Sequence, residues 1–292
     1  DADQWPPRRR AEAELGFNPL RFGYSASTDT HNSTPGDTEE WDFRGSVSRM
    51  ASPPSRRLSA PPMDFKSGIS RNPGGLTALW AETNTRDALF DAMLRRESYG
   101  TSGTRIRLRF FAGPDIPLDV GEALDPVAVA DANGSPMGAA LPAGEIAPVF
   151  YVSAARDPFS APLARIQMVK GWLVDGVAPE RVVDIACSDG LEPGADGCCP
   201  DNGAVVDPTD CAFSADVGAA ELGTVWQDPD YAPGQASFYY VRVLENPTCR
   251  WSTWDALRLG QPPRDDAPAF IRERAWSSPI WVGSSAAASG AP

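Results

Sequence analysis

Residues 105–110 (Arg105, Ile106, Arg107, Leu108, Arg109, Phe110) alternate strictly between a cation and an apolar side chain. A strand puts successive side chains on opposite faces, so Ile106, Leu108 and Phe110 are predicted to enter a core while the arginines meet water. Short β-branched and aromatic runs follow at 149–154, 164–172, 182–187, 224–227 and 238–244. Turn chemistry at 112–114, Asn133-Gly134 and Asp175-Gly176 separates some of them. With no long helix between them, these runs predict a β-sandwich over residues 104–282. The 29 prolines and 26 glycines favour the same reading, since both residues punctuate short elements and long connections.

The first hundred residues have another texture. A short charged helix is expected at 8–16, broken by 17–19 because the residue before a proline avoids helix. Residues 33–71 are polar, proline-rich and without a sustained period. A loop this long inside a domain is usually a lid or a binding loop. A strand is predicted at 76–80 and an amphipathic helix at 86–96, capped by Asn84 or Thr85. On that helix Leu89 with Met93 and Phe90 with Leu94 form an apolar stripe predicted to pack on the core. Residues 283–292 are small and polar and read as a tail.

Charge and cysteines restrict the function classes. A formal charge of −13 argues against a nucleic-acid surface, because phosphate binding needs clustered cations. No apolar run reaches the roughly 18 residues of a transmembrane helix. Of the five cysteines, Cys187, Cys198, Cys199 and Cys211 cluster and Cys249 stands apart. The paired C-x-x-C spacing of a zinc knot is missing, so disulfides that tie down a loop are expected, in an oxidising compartment, with one cysteine left over. The pairing is open.

The chain has one histidine, His31, two positions after Asp29, in the run Ser27-Thr28-Asp29-Thr30-His31-Asn32. The preceding residues read as a short buried strand ending here, which would turn both side chains to one side. Carboxylate oxygen and imidazole nitrogen suit zinc, manganese or iron, yet a catalytic zinc usually takes three ligands from protein. Read alone, a histidine beside an aspartate is more often a hydrogen-bonded structural pair.

Residues 27–32, followed by Pro35-Gly36, resemble the last metal-binding motif of the PHP superfamily of metal-dependent phosphoesterases, most closely in the DUF3604 group. Residues 72–76, 97–103, 245–255 and 273–281 carry the same resemblance, which therefore spans nearly the whole chain. It implies an α+β protein in which residues 1–103 form the C-terminal segment of a PHP-like, distorted TIM-type barrel with a lid at 33–71. An immunoglobulin-like sandwich would follow at 104–282 and a tail at 283–292. It implies metal ligation by Asp29 and His31, with the remaining ligands and an export signal upstream of Asp1. The complete protein would then hydrolyse a phosphoester or related small molecule with metal-bound hydroxide in the periplasm or outside the cell, and this segment alone would be inactive. Thr28 and Asn32 are candidates to orient the ligands. Glu39 and Glu40 in the lid are candidates for a further ligand or a general base. Arg105, just after the hydroxyl-rich turn at 101–104, is a candidate to meet an anion. The rival expectation is a non-catalytic, disulfide-stapled binding or structural module.

Overall fold

The computed structural model describes residue 15 and residues 21–46, 53–59, 68–142, 144–174 and 177–283. The expected helix at 8–16 apart from Leu15, its break at 17–19, the turn at 175–176, parts of the loop at 33–71 and the tail beyond Gly283 lie outside these residues.

Two open sheets share one core, and strands outnumber helices. The larger sheet is built on β10 (Ser237–Cys249). β7 (Leu163–Trp172) pairs with β10 from Ser237 to Glu245, and β8 (Glu180–Cys187) lies beyond it. The opposite edge of β10 is therefore shared by β12 (Ile280–Val282) and β11 (Phe270–Ser277). β11 continues to β2 (Ser98–Thr101) and β1 (Leu76–Leu79), while β12 leads to β5 (Ala140–Leu141). The smaller sheet runs β4 (Ser135–Pro136), β3 (Arg107–Gly113), β6 (Val149–Ala155), β9 (Glu221–Gln227). Among the described residues every strand pair is antiparallel except β5 with β12.

The apolar half of the alternation at 105–110 is realised, and Arg105 and Arg107 are exposed, while Arg109 is half-buried with its guanidinium 4.2 Å over the Trp80 ring. Ile106, Leu108 and Phe110 are buried with Phe150 and Val152 against Ile166, Met168, Tyr239, Val241 and Val243 of the larger sheet. Phe150 is the hub, its ring centroid 4.6 Å from Tyr239, 5.6 Å from Trp226 and 5.9 Å from Phe110. β10 is buried on both faces: Phe238 and Tyr240 point the other way, to Trp281, Val169 and Tyr24. The segment around Tyr24 thus covers the outer face of the larger sheet.

Several expectations meet a different structure. The buried strand expected before Asp29 is absent; residues 21–30 are irregular, and Asp29 adopts φ +46°, a left-handed conformation that ends any extended run. Residues from either side of position 103/104 meet in the larger sheet, where Tyr99, Gly100 and Thr101 pair with Ser277, Trp276 and Ala275. β1 and β2 are joined by α2 (Arg86–Arg95) but run antiparallel, where successive strands of an α/β barrel run parallel. Thr85 caps α2 by accepting the Ala88 N–H. Its apolar stripe does not pack as predicted: Phe90, Met93 and Leu94 are more than half exposed.

The described parts of the expected lid are anchored. α1 (Pro54–Leu58) packs on α4 (Trp251–Arg258), and Arg57 makes a two-pronged, buried pair with Asp255 at 2.7 and 2.8 Å. Phe43, Leu58, Ile69, Trp251 and Ala256 form a satellite core there. The sequence reading missed α3 (Pro126–Asn133), α4, β11 and β12. It also ended β10 too early, because Pro247 is accommodated by a register shift after Leu244. The disulfides are Cys187–Cys199 and Cys211–Cys249, and Cys198 is the exposed free cysteine. No helix of the described residues is long and apolar enough to cross a membrane.

Candidate functional site

The Asp29–His31 motif is positioned by backbone contacts to the sheet edge. Tyr24 N–H donates to Ser278 Oγ at 2.8 Å, Ala26 N–H to Thr77 Oγ1 at 2.9 Å, and Gly75 N–H to Ser27 O at 2.9 Å. Gly74 takes φ +85°, and a Cβ on it would lie 2.5 Å from Thr28 Cα. A Cβ on Gly75 would lie 2.1 Å from Thr101 O. Only glycine lets these backbones meet, which explains the paired glycines.

Beyond Thr28 the chain turns at Asp29. His31 N–H donates to Ser46 O at 2.6 Å, and Asn32 Nδ2 donates to Gly45 O at 2.6 Å. Asn32 Oδ1 accepts from the hydroxyls of Thr30 and Thr34. Asn32 therefore shapes the loop rather than touching Asp29 or His31. His31 Nε2 lies 3.4 Å from Asp29 Oδ1, with side-chain exposures of 64% and 82%. One carboxylate oxygen and one imidazole nitrogen this close fit a divalent transition ion in chemistry. In number they fall short, since no group of three potential ligands occurs among the described residues.

Three cavities lie in series, each sharing lining residues with the next. The first, of about 430 Å³, is bordered by Thr28, Asp29, Ser46, Arg71 and Asn72. It shares Ser27, Ser70, Asn72 and Gly74 with a second of about 610 Å³. The second shares Glu40 and Glu273 with a third of about 560 Å³, which Glu39, Arg105, Asp157 and Trp254 also border.

Glu40 and Glu273 border both the second and the third cavity, and Glu245 is buried behind Thr104 and Ser160, which border the third. Glu40 accepts the Trp251 N–H; burial, then the Glu273 charge, pushes its carboxyl up to about 8. Glu245, fully buried, accepts hydroxyl hydrogens from Thr104 at 2.6 Å and from Ser160, and burial lifts it to about 8. Glu273 accepts from Ser102 and is raised by burial to about 7. Arg250 is pushed down by burial, with Glu40 opposing. Groups so displaced can hold a proton near neutrality and give or take it.

The predicted site residues thus divide. Thr28 and Asp29 border the first cavity, and His31, which borders none of the three, lies 3.4 Å from Asp29. Glu40 lies at the carboxyl cluster. Glu39 pairs with Arg105 at 2.8 Å on the rim, so Arg105 already has an anionic partner. The sequence reading missed Ser46, Arg71, Glu245 and Glu273. Two of these carried a signal: Glu245 continues the inward series Val241 and Val243, and Glu273 shares the parity of buried Ala275. A carboxylate where the period-two pattern points inward marks a site or a buried network.

Fold and site define an α+β protein of two facing sheets, stapled by two disulfides, with cavities in series from an exposed Asp–His pair to buried carboxyls. The model of the family described as "Protein of unknown function (DUF3604)" matches residues 10–284, and the chain belongs to that family. No curated protein and no solved structure matches it.

Proposed function

We propose that this chain is the C-terminal part of a metal-dependent hydrolase of the PHP type, acting on a phosphoester or a related small-molecule ester. Asp29 and His31 are two ligands of its divalent transition-metal centre, and the remaining ligands come from outside the described residues. The observation that carries the reading is the convergence of the chain's one histidine with Asp29, 3.4 Å apart and exposed, with Asp29 on the border of a cavity. When bound, zinc, manganese or iron supplies Lewis acidity and lowers the pKa of water. The chain's own contribution is to hold the pair: Asn32 shapes the loop, and Gly74 and Gly75 seat it on the sheet edge. Glu40 and Glu273 offer proton-holding carboxyls further along. The PHP-like barrel and the immunoglobulin-like class of the sandwich belong to this proposal, as does export to the periplasm or beyond, which two disulfides favour.

The test uses the complete protein purified without chelator. Stoichiometric transition metal is expected, with Asp29→Ala and His31→Ala each lowering occupancy and abolishing hydrolysis of a phosphoester panel. Metal-free protein, together with unchanged turnover in both variants, would sink the reading. The lack of a third ligand among the described residues favours a second reading, a non-catalytic binding or structural module. That reading requires full-length protein with neither metal nor turnover.

A further inference from the structure

The outer face of the larger sheet gathers positive charge that the protein does not balance. Opposite residues of an antiparallel pair share a face; Arg242 stands opposite Trp276, and Leu244 stands opposite both Arg165 and Arg274. Arg272 lies two residues before Arg274 on β11, hence on the same face and about 7 Å away along the strand. Glu273 and Ala275 alternate with these arginines and are buried on the opposite side. Four arginines from three neighbouring strands therefore share one face.

Only Arg165 has a carboxylate partner, Asp184 at 3.0 Å. Arg242, Arg272 and Arg274 form no ion pair among the described residues, although Asp and Glu number 39 against 26 Lys and Arg. Arg242 Nε donates to Gln167 Oε1 at 2.6 Å and Arg274 Nε to Arg272 O at 3.2 Å, while the Arg272 side chain donates no hydrogen bond among the described residues. None of the nitrogens that Arg272 and Arg274 leave without a partner is sealed from solvent. Both side chains are half-buried and border the second cavity, of about 610 Å³, together with Ser27, Asn72 and Trp276. Burial, then the charge of Arg165, pushes Arg272 below the ordinary arginine value, with Arg274 adding to the effect and Asp201 opposing it. Burial and the charge of Arg242 do the same to Arg274, with Glu273 opposing.

Holding like charges together and partly out of water is unfavourable unless an anion offsets them. Strand-face arginines that served only solubility would reach into water or pair with one of the many carboxylates. Two guanidinium forks on adjacent same-face positions suit a group with several charged oxygens, which accepts from both at once. We propose that the second cavity is an anion site in which Arg272 and Arg274 bind a tetrahedral dianion, the phosphoryl or sulfuryl group of a small molecule. Arg242 and Arg165 add charge from the neighbouring strands. As a statement about substrate this rests on the hydrolase reading, since the cavity shares Ser27, Ser70, Asn72 and Gly74 with the one that Asp29 borders. As a binding site it stands on the arginines alone.

Calorimetric titration tests this without any activity readout. The full chain is stripped of metal, dialysed free of chelator at low salt, and titrated separately with inorganic phosphate, sulfate and acetate. Phosphate or sulfate is expected to bind at least tenfold more tightly than acetate, and the preferred one tells which ester is served. Arg272→Gln and Arg274→Gln should each weaken that binding about tenfold. Arg86→Gln, at the exposed start of α2 and outside the cavity lining, should leave it unchanged, which separates a site from a general loss of positive charge. Circular dichroism melts report folding. Arg272 carries repulsion and no hydrogen bond, so Arg272→Gln is expected to melt at or above the wild-type temperature. Wild-type protein that binds neither tetrahedral anion, an acetate affinity equal to theirs, undiminished binding in either folded arginine variant, or an equal loss in Arg86→Gln would each overturn the site. The two proposals fail separately. Stoichiometric metal with phosphate binding indifferent to Arg272 and Arg274 leaves the hydrolase and removes the anion site. Binding that depends on these arginines in a protein that never takes up metal does the reverse.

Discussion

The sandwich and the Asp29–His31 segment are held together by different physics. In the sandwich, period-two strands bury Phe110, Phe150 and Tyr239 face to face, and stability comes from apolar area. In residues 21–46 regular elements are almost absent. Position is set instead by side chain to backbone hydrogen bonds, by glycines that admit close backbone contact, and by left-handed turns at Asp29 and Ser33. The first kind of order is spread over many residues. The second depends on a few positions, such as Gly74 and Gly75, where close backbone contact leaves no room for a side chain.

The sharpest way to break this contrast is to strike each region at its centre. Phe150→Ala empties the aromatic hub and should cost about 3–5 kcal/mol in denaturant unfolding. A loss below about 1 kcal/mol would show that the two sheets do not share a core. Gly75→Ala forces a methyl onto Thr101 O and the Ala26 side chain, and overpacking of this kind should cost about 2 kcal/mol. Its larger effect is local. The His31 imidazole gives the chain's one histidine proton resonance, which should move in Gly75→Ala and stay in place under mild core substitutions. A stationary resonance would mean that the glycine contact does not position the motif.

The same contrast explains what was legible beforehand. The alternation at 105–110 and the runs at 149–154, 164–172 and 238–244 foretold strands, because burial on a pleated sheet leaves a period in the sequence. The capped helix at 86–95 was legible from its own pattern, yet its burial was not: Phe90, Met93 and Leu94 obey the period of a packed helix and are exposed. Periodicity reports a face, not what covers it. The Asp29–His31 pair was legible as chemistry, while the left-handed Asp29 that ends the expected strand was not, since aspartate adopts that conformation without a local signature.

The carboxyl groups of Glu40, Glu245 and Glu273 belong to neither region, and there the predicted effect is a pH dependence of definite sign. Glu245 is lifted from 4.5 to about 8 because burial disfavours its charged form. The folded state therefore binds its proton more tightly than the unfolded state. The stability this contributes is fully present below the unfolded value, declines as pH rises above it, and is gone once pH passes through the folded value near 8. Glu40 and Glu273 are raised too and act in the same direction. Glu245→Gln keeps the shape and the acceptor for the Thr104 hydroxyl but cannot ionise. At about pH 4 the variant and the wild type should melt nearly together, whereas at about pH 8 the variant should be more stable by several kcal/mol, on the order of 4 for a rise of this size. Equal melting at both values would mean that water reaches Glu245 well enough to ionise it at no cost. A variant less stable than the wild type at alkaline pH would mean that the Glu245 charge has a cationic partner.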